Sequence, residues 1–264
     1  MRFVLGGADT EMNEVALLLA DASYSVEYAN INGRRVNRAQ AYEATHPKPE
    51  PFDVWVECSP EGYTKSEMYS LGIDLVDHHQ PGDFGYSMPP TQYWEASSLG
   101  QVCIKVGIEP NRRLTYIAAA DHCLLPAYHN QCPEVDREDF LAFRMKFFEK
   151  FDTDPWAYLK RLHKEALTLP IIDMLGAKVR DISTLTPKHS KWLADMSCCF
   201  NMKTVSIKQK KTRYKMFVSN LSVNEIDEFC NVYAHSLGKV LKVYGDPKRQ
   251  FAAAVVEGSY VSED

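Results

Sequence analysis

The sequence has no two cysteines in Cys-x-x-Cys spacing, no apolar run long enough to cross a membrane, and no surplus of positive charge. Each absence removes a class of function. The seven cysteines are odd in number and Cys198 and Cys199 are neighbours, so neither a disulfide framework nor a zinc knuckle is expected. A reducing compartment, the cytoplasm, is the expected location. The opening Met1 to Met12 carries one basic residue and a short apolar run before Asp9, too little for a secretory signal. With no spanning run, no membrane partner is expected. Thirty lysines and arginines against 35 acids leave a net charge of −5. That balance disfavours a stable grip on duplex DNA and leaves room for a local basic groove. Internal repeats and low-complexity tracts are also missing.

What is present suits one large or two modest hydrophobic cores: 264 residues, 45% of them hydrophobic. In the first half, apolar runs alternate with helical stretches. Arg2–Leu5, Val26–Asn30, Phe52–Glu57 and Ile73–Val76 read as strands, and segments around Val15–Leu19 and Ser66–Leu71 as helices between them. Strands spaced by helices predict an α/β fold, a doubly wound and mostly parallel sheet. Ala96–Val106 and Leu114–Ala120 read as further helices. Residues 133–168 read as a helical linker, broken near Asp154-Pro155, where the aspartate caps and the proline opens a new first turn. From Leu169 the texture changes to strands at Met202–Ile207, Tyr214–Val218, Lys239–Val243 and Phe251–Val256, with a helix over Val223–Leu237 closed by Gly238. The expected organisation is therefore a domain over residues 1–132, the linker, and a second, smaller α/β domain over 169–264.

The chemistry gathers after the apolar runs. Asp9 and Glu11 follow the first strand, Glu57 ends the third, and Asp77-His78-His79 follows Ile73–Val76. Asp121-His122 closes another apolar run. In open parallel sheets, ligands bind beyond the carboxyl ends of the strands, so these side chains are expected to converge there. Any one acid alone is more often a cap or turn residue; Asp9, just before a helix, is an obvious cap. Two adjacent imidazoles at a strand exit are harder to explain, because each needs a partner if buried. Carboxylates with imidazoles form a site for divalent cations, with Mn2+ or Mg2+ favoured, held as two ions or as one. Such ions lower the pKa of a coordinated water and offset charge building on a phosphoryl group, which is the chemistry of phosphoester hydrolysis.

The stretch Gly72-Ile73-Asp74-Leu75-Val76-Asp77-His78-His79 resembles the signature of the DHH phosphoesterase superfamily, which includes nanoRNases, single-strand exonucleases, cyclic-dinucleotide phosphodiesterases and family II pyrophosphatases. Asp9-Thr10-Glu11 is similar to its first motif, Val54–Glu57 to its second, and Ala119-Ala120-Asp121 to its fourth. Glu95–Leu99 resembles the helix start after the histidines. The likeness covers about the first 125 residues. It implies a catalytic domain in which Asp9 binds one metal, Glu11 and His78 with Asp121 bind the other, and Glu57 bridges. It also implies that His79 faces the phosphate and that Asp77 orients an imidazole. The chain departs from the pattern at Leu5, where relatives often carry histidine, and at Glu11 and Glu57, which stand for aspartates. His122 and Asp83 are the nearby residues able to compensate.

Two further signals lie in the second domain. Lys208, Lys210, Lys211, Arg213 and Lys215 form the densest positive patch, read either as a solvated hairpin that discourages edge pairing or as a phosphate-gripping lobe. Lys248 and Arg249 are candidate substrate contacts, against the plainer reading of a charged turn. Two functions follow. The first is a metal-dependent phosphohydrolase or phosphodiesterase that cleaves a small nucleotide or short single-stranded oligonucleotide, as a monomer or a homodimer. The second is a catalytically degenerate nucleotide-binding sensor or sequestering protein of the same fold, motivated by Leu5, Glu11 and Glu57.

Overall fold

The computed structural model describes residues 1–247 and 249–260. It divides into two compact units, residues 1–122 and 123–264. The chain is an α/β protein with a parallel sheet in the first unit and a separate mixed sheet in the second. No described helix is long and apolar enough to cross a membrane.

The first unit runs β1 (Arg2–Leu5), α1 (Thr10–Asp21), β2 (Ser25–Tyr28), a small hairpin of β3 (Asn30–Ile31) and β4 (Arg34–Arg35), and β5 (Val54–Val56). It continues through α2 (Lys65–Ser70), β6 (Asp74–Val76), α3 (Tyr93–Ala96), α4 (Ser98–Val106) and α5 (Arg112–His122). The sheet order is β2-β1-β5-β6, and every pairing is parallel. The central strands are apolar throughout because helices and loops bury both faces. Phe3, Val4, Leu5, Trp55 and Val56 are all fully buried. Val4 and Trp55 pack with Met68 of α2 and with Ile73 on one face.

The strands are shorter than their apolar runs for a local reason. Phe52 and Glu57 flank β5 at φ 69° and 51°, left-handed values that break the extended backbone on either side of Val54–Val56. Likewise Ser97, extended at φ −68° and ψ 149°, interrupts the helix expected over Ala96–Val106, and its hydroxyl caps α4 by accepting from the Gly100 amide. Tight packing fixes the strand exits. A Cβ on Gly6, just after β1, would lie 2.4 Å from the Glu57 carbonyl oxygen.

The second unit opens with α6 (Leu124–Tyr128), α7 (Arg137–Phe148) and α8 (Pro155–Leu167), the last capped by Asp154 with proline at its first turn. Then come β7 (Ile171–Met174), β8 (Ala177–Asp181), α9 (Thr186–His189), α10 (Leu193–Cys199), β9 (Thr204–Lys210) and β10 (Arg213–Ser219). A helical stretch over Val223–Ser236 follows: α11 (Val223–Glu228), a π-helical turn (Phe229–Tyr233) and α12 (Ala234–Ser236). β11 (Val240–Asp246) and β12 (Phe251–Glu257) complete the unit. The single helix expected over Val223–Leu237 thus carries one wide turn in its middle. The sheet order is β11-β12-β10-β9-β8-β7, antiparallel except between β8 and β9. One face, with Val205, Met216, Val218, Ala252 and Ala254, buries against Ile226, Phe229 and Ala234.

A buried ion pair ties the helices of this unit together. Arg144 donates to both carboxylate oxygens of Asp195 at 2.7 Å, and the Tyr128 hydroxyl donates to the same carboxylate at 2.7 Å. Removing one partner strands a buried charge. Asp195→Ala is expected to destabilise the protein by about 3 kcal/mol, measured as a lower urea midpoint. A loss under about 1 kcal/mol would mean that solvent already screens the pair.

Candidate metal centre

The exits of β5 and β6 and the last turn of α5 meet in the first unit. Glu57, His78, His79 and Asp121 each offer a ligand atom, and these atoms all lie within 4.8 Å of one another. Glu57 and Asp77-His78-His79 leave neighbouring parallel strands, so register alone places them side by side. Asp121 arrives differently: it stands within a helix, α5, rather than beyond a strand.

The protonation pattern of the centre is set by a backbone carbonyl. The Met88 oxygen can only accept, so His122, 3.2 Å away through Nε2, carries its proton there. With His122 neutral, its Nδ1 is the acceptor for the Nδ1–H of His78, 2.9 Å away. His78 is left to present Nε2 towards Glu57 Oε1 at 3.4 Å and Asp121 Oδ2 at 3.1 Å. Three electron-rich atoms this close require a positive charge among them, a proton or a cation. Their separations of a little over 3 Å are those of ligands that share one ion at about 2.0–2.2 Å each.

With a proton on His78 Nε2 as that charge, the carboxyls diverge. Burial works to raise the Glu57 carboxyl, but His78 and His79 beside it hold it below the usual range. At Asp121 burial again opposes ionisation, and the His78 and His79 imidazoles with Arg38 overcome it and lower the pKa. Glu11 goes the other way: burial, then the charges of Asp121 and Glu57, push it well above the ordinary value. Glu11 is 1% exposed; Oε1 accepts from the Leu99 amide at 2.8 Å, while Oε2 is buried without a hydrogen bond. Once Glu11 is protonated, a hydrogen bond with Glu57 also contributes to the rise, and a divalent cation in place of that proton would suit the three carboxylates.

Asp77 acts behind the centre. Its Oδ1 accepts from the His78 and His79 amides at 2.7 and 3.0 Å and lies 2.9 Å from His79 Nδ1. The Tyr42 hydroxyl donates to Oδ2 at 2.9 Å. Burial would raise the Asp77 carboxyl, and the hydrogen bond from His79 with its charge lowers it instead. Ionised Asp77 therefore fixes the proton of His79 on Nδ1 and sets the ring.

Asp9 caps α1, accepting from the Met12 amide at 2.8 Å, and its other oxygen pairs with Arg38 at 3.0 Å. Arg38 also reaches Asp121 at 3.5 Å. A guanidinium thus occupies the side of Asp9 and Asp121, two carboxylates to which the resemblance gives different metals. Asp83 does not join the centre; it pairs with Lys65 and accepts from the Gln80 amide. Arg249 sits in the β11–β12 turn of the second unit, its guanidinium carbon 5.6 Å from the Phe251 ring centre. Lys248 lies outside the described residues. Arg38, Tyr42 and the backing role of His122 escape sequence reasoning, since no motif carries them.

No family profile matches the sequence, and no curated protein matches it. Among solved structures, the chain is similar to a protein titled "pGpG-specific phosphodiesterase", PggH from Vibrio cholerae, at 10% identity and a TM-score of 0.35. The match covers 97% of this chain and 92% of that one. Likeness at that level leaves the chemistry to be argued from the side chains.

Two outcomes test the centre. Because the raised Glu11 carboxyl must lose its proton when a cation binds, Mn2+ affinity should rise as pH climbs from the ordinary glutamate range near ~4.3 through the raised value. Glu11→Gln should flatten that dependence, and calorimetry in buffers of different ionisation enthalpy reads the released proton directly. Separately, a Cβ on Gly85 would lie 2.7 Å from the His78 Cβ and 1.9 Å from the Ala96 oxygen. Gly85→Ala should therefore displace His78 and weaken Mn2+ binding by about tenfold or more.

Proposed function

We propose that the chain is a divalent-metal-dependent phosphohydrolase acting on phosphodiesters of a small nucleotide or short single-stranded oligonucleotide. The observation that carries this reading is the approach of Glu57 Oε1 and Asp121 Oδ2 to His78 Nε2 at 3.4 and 3.1 Å, with His79 beside them. Glu57, His78 and Asp121 would hold the cation, Mn2+ or Mg2+, with Glu11 as a further carboxylate; Asp9, engaged with Arg38, is the least available of the expected ligands. When bound, the cation supplies a Lewis acid that activates water and withdraws charge from a phosphoryl oxygen.

The other groups act on the substrate. His79, its side chain one-third exposed, keeps its Nδ1 proton on Asp77, so that Nε2 is the atom able to meet a phosphate or return a proton to the leaving oxygen. Arg38, two-thirds exposed at its side chain, can swing from the two aspartates to a non-bridging phosphate oxygen. Water is held off the proton-bearing side of His78 by burial of His78 and His122, 1% and 0% exposed.

The non-catalytic reading, a sensor or sequestering protein, is motivated by Leu5 and by the guanidinium at Asp9. The two separate by mutation. His78→Ala and Asp121→Ala should each lower Mn2+-dependent turnover by at least about 10²-fold and also lose Mn2+ binding. His79→Ala should lower kcat by about 10²–10⁴-fold while Mn2+ binding survives. A turnover screen with Mn2+ over short RNA, short DNA, linear and cyclic dinucleotides, phosphoadenosine phosphate and pyrophosphate identifies the substrate. Full activity in both His78→Ala and Asp121→Ala would reject this centre as the catalytic site, and no Mn2+-dependent turnover of any of these substrates by the unaltered chain would favour the non-catalytic reading.

A further inference from the structure

The densest positive patch belongs to the open face of the second sheet. Strand alternation puts Tyr214, Met216 and Val218 of β10 in the core and turns Arg213, Lys215 and Phe217 to the other face. Registers carry this face across four strands. Lys208, Lys215, Val255 and Lys242 form one row, and Ser206, Phe217, Ala253 and Tyr244 the next. Phe251 stacks on Phe217 with ring centres 5.4 Å apart, and Tyr244 meets Phe251 edge-on at 6.2 Å. Cations stand over these rings: Lys215 at 5.6 Å from Phe217 and 5.3 Å from Tyr244, and Lys242 at 5.3 Å from Tyr244. Beyond them Lys210, Lys211, Arg213 and Lys239 line a depression of about 540 Å3 together with Glu257, which lies opposite Arg213 and pairs with Lys239.

Stability does not explain this arrangement. Lys208 lies directly opposite Lys215 and Lys210 opposite Arg213, and like charges across a strand pair are destabilising. Edge protection accounts for Lys208 and Lys210, because β9 meets β8 only at Thr204 and Val205, but not for Arg213 and Lys215, since β10 is paired along its whole length by β9 and β12. Successive rows are two residues apart, about 6.8 Å, close to the length of one extended nucleotide. Aromatic faces for bases beside a grid of cations for phosphates are what single strands require.

We infer that this face binds single-stranded nucleic acid, bases stacking on Phe217 and Tyr244 and phosphates meeting Lys208, Lys215 and Lys242. The inference deepens the hydrolase reading and rests on it only for calling the strand a substrate; binding itself involves the second unit alone. The test uses the full chain in chelator, so that nothing is cut, with fluorescein-labelled oligothymidylate and oligouridylate of about eight nucleotides. Anisotropy titrations across about 50–200 mM salt give affinity and its salt slope. Phe217→Leu and Tyr244→Leu should each weaken binding about tenfold, with circular dichroism unchanged. Lys208→Gln and Lys215→Gln should each shallow the slope by about 0.7. Phe217→Trp should retain binding, its indole emission quenched by the oligonucleotide. Unaltered affinity in both leucine variants, or no quenching at saturation, would overturn the inference. So would displacement of the strand by oligoglutamate at equal charge concentration, since that outcome means charge without stacking. Binding that passes these tests in a chain without hydrolase activity defeats the enzyme reading and leaves this one standing; hydrolysis without strand binding does the reverse.

Discussion

The contact on which the first unit's chemistry turns is the 2.9 Å approach of two imidazole nitrogens, His78 Nδ1 and His122 Nδ1. Two neutral rings can meet this way only if one donates and the other accepts. The choice is made by a group that cannot titrate, the Met88 carbonyl, which holds the proton of His122 on the far nitrogen. The order runs outward from there. His78 must donate inward, so its second nitrogen faces the carboxylates of Glu57 and Asp121. A hydrogen-bond chain rather than a solvent-exposed equilibrium therefore decides which atom is offered to a cation.

The same centre concentrates negative charge at a cost. Glu11, Glu57 and Asp121 are pressed together with little water, and the carboxyl of Glu11 answers by holding its proton more tightly while the other two, beside imidazoles, give theirs up. Burial and like charge drive the divergence at Glu11, and the imidazoles drive it at Glu57 and Asp121. The fold supports it through rigid exits: Gly6 against the Glu57 carbonyl and Gly85 against His78 leave no room for a side chain.

Much of this was legible in the sequence. Apolar runs spaced by helices indicated the parallel order, and parallel order brings the ends of β5 and β6 together, so Glu57 and Asp77-His78-His79 could be read as neighbours. Asp121 closes an apolar run and was expected at the same rim, and it arrives there from the last turn of a helix rather than from a strand exit. Arg38 and Tyr42 were invisible for a different reason: they come from the irregular stretch between β4 and β5, whose path no periodicity encodes. The lysine-rich hairpin was legible as a hairpin, but its place inside the sheet depends on β8 and β12 pairing on either side. That pairing removes the edge-protection reading for Arg213 and Lys215 of β10, while Lys208 and Lys210 of β9 lie beyond the two residues that β8 covers.

Arg38 carries a consequence for cation entry. By bridging Asp9 and Asp121 at 3.0 and 3.5 Å it acts as a resident counter-ion, built into the chain and needing no supply from solution. Electroneutrality in the pocket is then partly covalent. A cation entering beside Asp121 would then exchange with a positive group already present rather than neutralise a bare pocket.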